Sequence, residues 1–344
     1  MRAQNIRHRG RLLILTAAIF AVLEIAVLVW QRYGPRTAEV PAAKLPEELV
    51  YVTSEDDIVN GGVMFSPTKI SAKPIALIWI HGWGVNFYSP TYVTIGRALA
   101  ERGFATIAAN TRMHDIGTSA GERHGKRIRG GGYWGVASEE VRDLAAWIAF
   151  AEHQGFKRMV LIGHSAGWAA VRGYQADTQD PRVVGLVLAS GEVRGQAPPV
   201  DAELLAQANR LMADGRGDDL LRLPNRSFPS FVSAATFLDI AKSSPEQVDF
   251  FGVRTPNPAV TRVRCPILAF FGTRGDVGDE ADLQLLRSSI ERQSSGPSRV
   301  NTAMISNADH MYTGEEAQVA QTISSWAESV VLAEPQKSDA PSQR

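Results

Sequence analysis

The chain has one cysteine in 344 residues, Cys265, so no intrachain disulfide can form. Its setting, "RCPILAFF", reads as the start of a buried strand, which makes it an inert core thiol. The chain also lacks net charge, because 36 Lys and Arg balance 36 Asp and Glu. Proteins that bind nucleic acid carry a basic stripe, so nothing here points to such a partner. No histidine or cysteine cluster has metal-ligand spacing, so no metal and no cofactor is expected. "KRIRGGGYWG" (Lys126–Gly135) combines basic charge with glycines, but it lacks the G-K-[ST] ending of a phosphate-binding loop. The body shows no internal repeats and no low-complexity tracts.

Hydrophobic sequence is concentrated near the N-terminus. Residues 1–11 are basic, with Arg2, Arg7, Arg9 and Arg11 and no acid. Leu12 to Trp30 then runs apolar with one charge, Glu24. As a helix it would be roughly 28 Å long, close to the hydrocarbon thickness of a bilayer. A cleaved signal has a shorter apolar core and a small-x-small site, which "VLVWQRYG" does not supply. The segment therefore reads as a single-pass signal anchor. The excess of arginine before it places the N-terminus in the cytoplasm and the body on the extracytoplasmic side. Residues 31–48, rich in Pro, Ala and charge, read as a linker. The polar stretch 334–344 reads as a disordered tail.

Between them, strand and helix signals alternate. "LVYVTSEDDIVNGGVMFSP" suggests a hairpin turning at Asn60-Gly61-Gly62. Apolar runs at 75–80, 104–110, 158–163, 183–190, 266–272 and 300–305 read as strands, the first as one buried on both faces. Helices are expected from Ser89, from Ser138, after Ser165 and from Thr313, where Glu316 completes a capping-box pattern. This is an α/β protein: a mainly parallel sheet flanked by helices. The rhythm breaks between Ser190 and Cys265. There "VDAELLAQANRLMADG" reads as a helix with Leu204, Leu205, Ala208, Leu211 and Met212 on one side. "FPSFVSAATFLDIA" reads as a second, rich in Phe. Together they predict a helical cap inserted at about 192–262, and the phenylalanines of this whole inserted region suggest an apolar acyl pocket.

The chemistry centres on "VLIGHSAGWA". Gly163-His164-Ser165-Ala166-Gly167 matches G-x-S-x-G, with a strand before it and a helix after. Glycines flank the serine because side chains there would strike the strand and helix. The sharp turn exposes the hydroxyl and aims the Ala166 amide at the same point. Such a hydroxyl needs a base. Of seven histidines only His310 follows the serine, in "SNADHMYTG" after the last strand. Asp276, in "FFGTRGDVGDEADL", is the first choice to orient the imidazole, with Asp279, Glu280 and Glu192 as alternatives. "WIHGWG" follows an early strand, and the turn at Gly82 can point the Trp83 amide inward as a second oxyanion donor.

With the HGWG loop, the GHSAG elbow and the order Ser165, Asp276, His310, residues from about Leu49 to Ala333 resemble the α/β-hydrolase superfamily. "NTRMHDIGTSAG" resembles that superfamily's D-x-R-G-x-G-x-S segment, departing at Asn110 and at Met113–His114. The step from Gly272 to Asp276 is one residue longer than the usual G-x-x-D. The resemblance implies that Lys126–Gly135 lies near the rim of the site, where Tyr133 and Trp134 would meet substrate or pack. It also implies a hydrolase that cleaves a carboxylic ester, thioester or lipid ester through an acyl-enzyme on Ser165, with no cofactor. Peptidase, amidase and acyltransferase chemistry on the same fold, and a non-catalytic binding protein, remain alternatives. Oligomeric state is not legible.

Overall fold

The computed structural model describes residues 46–67, 72–123, 126–195, 200–224 and 229–333, all within one compact unit, Pro41–Arg344. The expected basic segment, membrane span and tail, and nearly all of the linker, lie outside the described residues. Among the described residues, no helix is long and apolar enough to cross a membrane.

Eight strands form the main sheet: β1 (Glu47–Thr53), β2 (Val59–Phe65), β3 (Ala76–Ile80), β4 (Ala105–Ala109), β7 (Met159–His164), β8 (Val183–Ala189), β11 (Ile267–Gly272) and β12 (Val300–Ile305). Their order is β1-β2-β4-β3-β7-β8-β11-β12. β1 and β2 are antiparallel, as are β2 and β4, and every pairing from β4 to β12 is parallel. The central strands are buried on both faces, which explains why they read as unbroken apolar runs.

Alternation along each strand feeds two cores. Ile78, Leu161, Leu186 and Phe271 point to one face, under α2 (Glu140–His153), α3 (Ala166–Thr178) and α7 (Glu280–Glu291). Leu77, Trp79, Ile162 and Phe270 point to the other, under α1 (Pro90–Glu101) and α8 (Glu316–Trp326). The result is a three-layer α/β architecture with a mainly parallel sheet.

Local expectations are corrected at several points. Glu47 and Glu48, assigned to the linker, open β1. The first hairpin turns at Ser54–Ile58, where Asp57 takes φ +69 and Ser54 Oγ accepts from the Ile58 amide at 3.2 Å. Asn60, Gly61 and Gly62 instead lie inside β2, and a β-carbon on Gly62 would meet the Trp147 ring at 2.6 Å. Ser138 does not cap α2, because its hydroxyl is bonded to Asp239. α8 starts at Glu316, not at Thr313, because the Thr313 amide is spent on Asp309 Oδ1 at 2.9 Å and Gly314 turns left-handed. A small hairpin of β5 (Thr118–Arg123) and β6 (Lys126–Gly130) occupies the segment read as loop. It escaped detection because charged and small residues fill it.

Between β8 and β11 the chain builds α4 (Ala202–Ala213), a ribbon of β9 (Leu220–Arg222) with β10 (Phe231–Ser233), α5 (Ala234–Ala241) and the short α6 (Pro245–Val248). Asp201 caps α4 by accepting from the Glu203 and Leu204 amides. The second expected helix is shorter than its pattern, because Phe231–Ser233 pairs as strand and Ser233 caps α5. This region has its own core of Ala208, Leu221, Val232, Phe237 and Leu238. Met212, assigned to the apolar side, is exposed.

Candidate active site

β7 ends at His164, α3 begins at Ala166, and Ser165 is the single residue between them, at φ 53° and ψ −118°. That conformation costs an L-residue roughly 1–3 kcal/mol, and the neighbours enforce it. A β-carbon on Gly163 would stand 2.2 Å from the Gly167 carbonyl oxygen, and one on Gly167 would stand 2.5 Å from that of His81. Only glycine fits at either position. Ser165 is held by its amide, which donates to the Ala189 carbonyl at 2.9 Å.

The structure brings His310 and Asp276 to this serine. His310 Nδ1–H donates to Asp276 Oδ1 at 2.8 Å, which leaves Nε2 to accept from Ser165 Oγ at 3.2 Å. Asp276 follows β11, and its side chain is fully buried. Burial opposes its charge, but hydrogen bonds from His310, Ser190 Oγ and the Gly272 and Val277 amides outweigh burial and hold the carboxyl below its ordinary range. The extra residue after Gly272 is taken up where Gly275 turns left-handed at φ +67°. The alternatives are placed elsewhere. Asp279 caps α7 in a capping box with Asp282, and Glu280 lies exposed in its first turn. Glu192 is also exposed, beyond β8.

The loop after β3 reaches the same point. A β-carbon on Gly82 would stand 3.0 Å from Ser165 Cβ. Trp83 follows Gly82 directly, and its indole donates to the Gly132 carbonyl at 3.2 Å. Ala166 is the first residue of α3, so its N–H has no acceptor within the helix. Both amides expected of an oxyanion hole therefore belong to segments that border Ser165.

A family model for the alpha/beta hydrolase family matches residues 77–322, well over half of the chain. The chain belongs to that family. A search of curated proteins finds no sequence relative. Solved structures with similar folds include Est1E from Butyrivibrio proteoclasticus, at 14% identity, TM-score 0.53, covering 82% of this chain and 98% of that one. An esterase from Pyrococcus furiosus is 15% identical, with TM-score 0.53, over 86% of this chain and 97% of its own. The esterase domain of a Rhodothermus marinus protein is 17% identical, with TM-score 0.53, over 83% of this chain and 100% of its own. At these identities the likeness establishes the fold.

Two buried histidines complete this hydrolase's site, and sequence reasoning had given them only turn roles. His164 Nε2–H donates to the His310 carbonyl at 2.8 Å, and its Nδ1 accepts from the Tyr92 hydroxyl at 2.7 Å. Tyr92 in turn accepts from the Gly82 amide at 3.2 Å. One chain of hydrogen bonds therefore ties the Gly82 loop, through Tyr92 and His164, to the backbone of His310. Burial pushes His164 down to about 4, so it stays neutral and keeps one donor and one acceptor. His81 is likewise pushed down to about 4 by burial. Its Nδ1–H donates to the Gly82 carbonyl at 2.7 Å, and Nε2 accepts from the Thr111 amide at 3.1 Å.

Ser165 opens on a cavity of about 1180 Å³ that runs along α3. The region between β8 and β11 contributes Asp239, Ile240, Lys242, Gln247, Val248 and Phe250 to its wall. Of the inserted region's described phenylalanines, Phe250 lines it, while Phe237 is buried in that region's own core and Phe231 faces solvent. Tyr133 and Trp134 fasten this region to the body. The Tyr133 carbonyl accepts from the Ser233 amide at 2.7 Å, and Trp134 Nε1 donates to the Asp218 carbonyl at 2.9 Å.

Proposed function

We propose that this protein hydrolyses carboxylic esters, thioesters and lipid esters included, through an acyl-enzyme on Ser165. The observation that carries the reading is His310, with one ring nitrogen on Asp276 and the other on Ser165 Oγ. Ser165 Oγ attacks the acyl carbon as its proton passes to His310 Nε2. The carbonyl electrons move to oxygen, where the Trp83 and Ala166 amides receive the negative charge. His310 returns the proton to the leaving alcohol as the C–O bond breaks. Water then repeats the sequence in reverse, freeing the acid and the serine. The preference for ester over amide rests on the esterase names of the neighbouring folds. No cofactor enters the scheme. Residues 12–30 would anchor the enzyme in a membrane, with its N-terminus in the cytoplasm and the catalytic domain on the far side.

The test is fluorophosphonate labelling of membrane and soluble fractions, with wild type and Ser165→Ala side by side, followed by mass mapping. Labelling at Ser165 that vanishes in the variant is expected, and it should track with the membrane fraction. A folded wild type that takes no label and hydrolyses no ester would remove the mechanism. Label confined to the soluble fraction would remove the anchor.

A further inference from the structure

The cavity that opens at Ser165 contains a charge the mechanism does not use. Arg172 lines it and is 8% exposed. Its Nη1 is fully buried with no hydrogen-bond partner among the described residues, and no carboxylate among them lies within ion-pair distance. The guanidinium sits over two aromatic rings, 4.8 Å from the centroid of Phe250 and 5.5 Å from that of Phe251. Aromatic faces hold a guanidinium by its plane and leave the N–H groups in that plane unspent.

The surrounding acids do not supply the missing partner. Asp249 spends its carboxylate on the Val253, Arg254 and Thr255 amides, at 3.0, 2.6 and 2.6 Å. Asp177 is paired with Arg262 at 2.8 Å, and Asp239 is bonded to Ser138. Glu192 lies on the exposed rim and acts on Arg172 only through space, with no hydrogen bond between them. Burial of an unpaired charge is expensive, so such a group marks a place where an anion binds.

Its position sets the span. Arg172 is seven residues beyond Ser165, which is two turns along one face of α3 and about 10 Å of axis. Its side chain leans back toward the helix N-terminus. Between them the cavity wall is formed by Ala166, Ala169 and Ala170 together with the largely buried Trp168, and Gly173 lies just beyond. Ser165 and Arg172 thus line one and the same cavity.

We propose that Arg172 binds a carboxylate at the far end of a substrate arm, so that this hydrolase prefers esters carrying a terminal carboxylate over uncharged esters of the same length. Arg172 pairs with the two carboxylate oxygens through its fork of donors. This rests on the Ser165 reading for the reaction, but the binding preference can be measured without turnover.

The experiment titrates full-length Ser165→Ala calorimetrically with two sets of esters. One set is a series of dicarboxylic acid monoesters and of esters of hydroxy acids, from four to eight carbons. The other is the matching set with a methyl group in place of the free carboxylate. Binding at least tenfold tighter for the charged member at one length, in one of the two arms, is expected. Arg172→Met should abolish the difference, and Arg172→Lys should restore part of it. In the catalytically intact chain the same preference should appear in KM, with kcat nearly unchanged. Equal binding of charged and uncharged members at every length overturns the proposal even if the enzyme hydrolyses esters well, and it does so without any change at Arg172. A preference that survives Arg172→Met in a folded variant overturns it as well. Absence of turnover with the binding preference intact would instead count against the Ser165 mechanism and leave the anion site standing.

Discussion

Arg112 and Arg172 are both almost wholly buried, and the protein treats them in opposite ways. Arg112 meets three carboxylates. Its Nε and Nη2 bind Asp143 at 3.0 Å each, Nη1 and Nη2 bind Asp56 at 2.9 Å, and Nη1 binds Glu139 at 2.6 Å. Burial opposes the charge, and Asp143 and Asp56 more than restore it, so the guanidinium holds its proton above the ordinary range. These bonds join the first hairpin turn, the segment after β4 and α2. Arg172 receives none of this, and burial pushes it down to about 10. Equal burial thus has two uses. A cation with its donors filled holds segments together, while one with donors left open in a cavity wall waits for something from outside.

Asp276 extends the comparison to a buried anion, and it carries the largest expected effect. Each of its oxygens is taken twice: Oδ1 by His310 and the Val277 amide, Oδ2 by the Gly272 amide and Ser190 Oγ. An asparagine offers one acceptor oxygen and sets an NH₂ against the other pair of donors. Asp276→Asn should therefore misorient His310 and lower kcat for ester hydrolysis by about 10⁴. A loss of less than tenfold, with the fold intact by circular dichroism, would put Asp276 among merely structural groups.

The two arginines themselves give the next effect. Arg112→Met leaves the fully buried Asp143 without its cation and removes one partner of Asp56, and should cost about 3–5 kcal/mol in urea unfolding. Arg172→Met removes an unpaired buried cation and keeps apolar contact with Phe250 and Phe251. It should leave stability unchanged or raise it. Equal losses in the two variants would mean that Arg172 is as structural as Arg112, and the comparison would fail.

How far these features were legible differs with the range of the interaction. The elbow is legible because its steric demand is local: Gly163 and Gly167 collide with backbone within a few residues or at the next strand. The late positions of Asp276 and His310 follow from chain order at the ends of β11 and β12. The first hairpin misleads because Asn-Gly-Gly is the stronger turn signal, yet Gly62 is reserved for the Trp147 ring, far along the chain. Tyr92 and His164 gain their roles from a hydrogen bond across 72 residues, which no local pattern shows. Arg172 reads as an ordinary helix residue until Phe250 and Phe251 are folded over it. His310 was found as the only histidine after the serine, and no comparable count singles out a buried arginine.

Glu139 and Glu140 repeat the comparison in adjacent residues, with the smallest expected effect. Glu139 is half-exposed and paired with Arg112. Glu140 is buried, and burial pushes it up to about 8, against a hydrogen bond from Thr111 Oγ1 at 2.6 Å. Between pH 4.5 and 8 the native state thus keeps a proton that the unfolded state has released. Stability from this group is complete below pH 4.5 and falls as pH rises toward 8, by at most about 1.4 kcal/mol per unit. His81 and His164, both pushed down to about 4, slope the other way: the unfolded state binds more protons between pH 4 and 6.5, so stability falls on acidification through that window. The two trends place greatest stability near pH 6.5. Glu140→Gln keeps the acceptor for Thr111 and cannot ionise. It should flatten the loss between pH 6.5 and 8 and steepen the fall on acidification from pH 6.5 to 4.5, where Glu140 no longer opposes the two histidines. Urea unfolding at half-unit steps across that range checks it. A variant that weakens toward pH 8 as steeply as wild type would assign the alkaline loss to another group and mean that Glu140 is already ionised in the native state below that range.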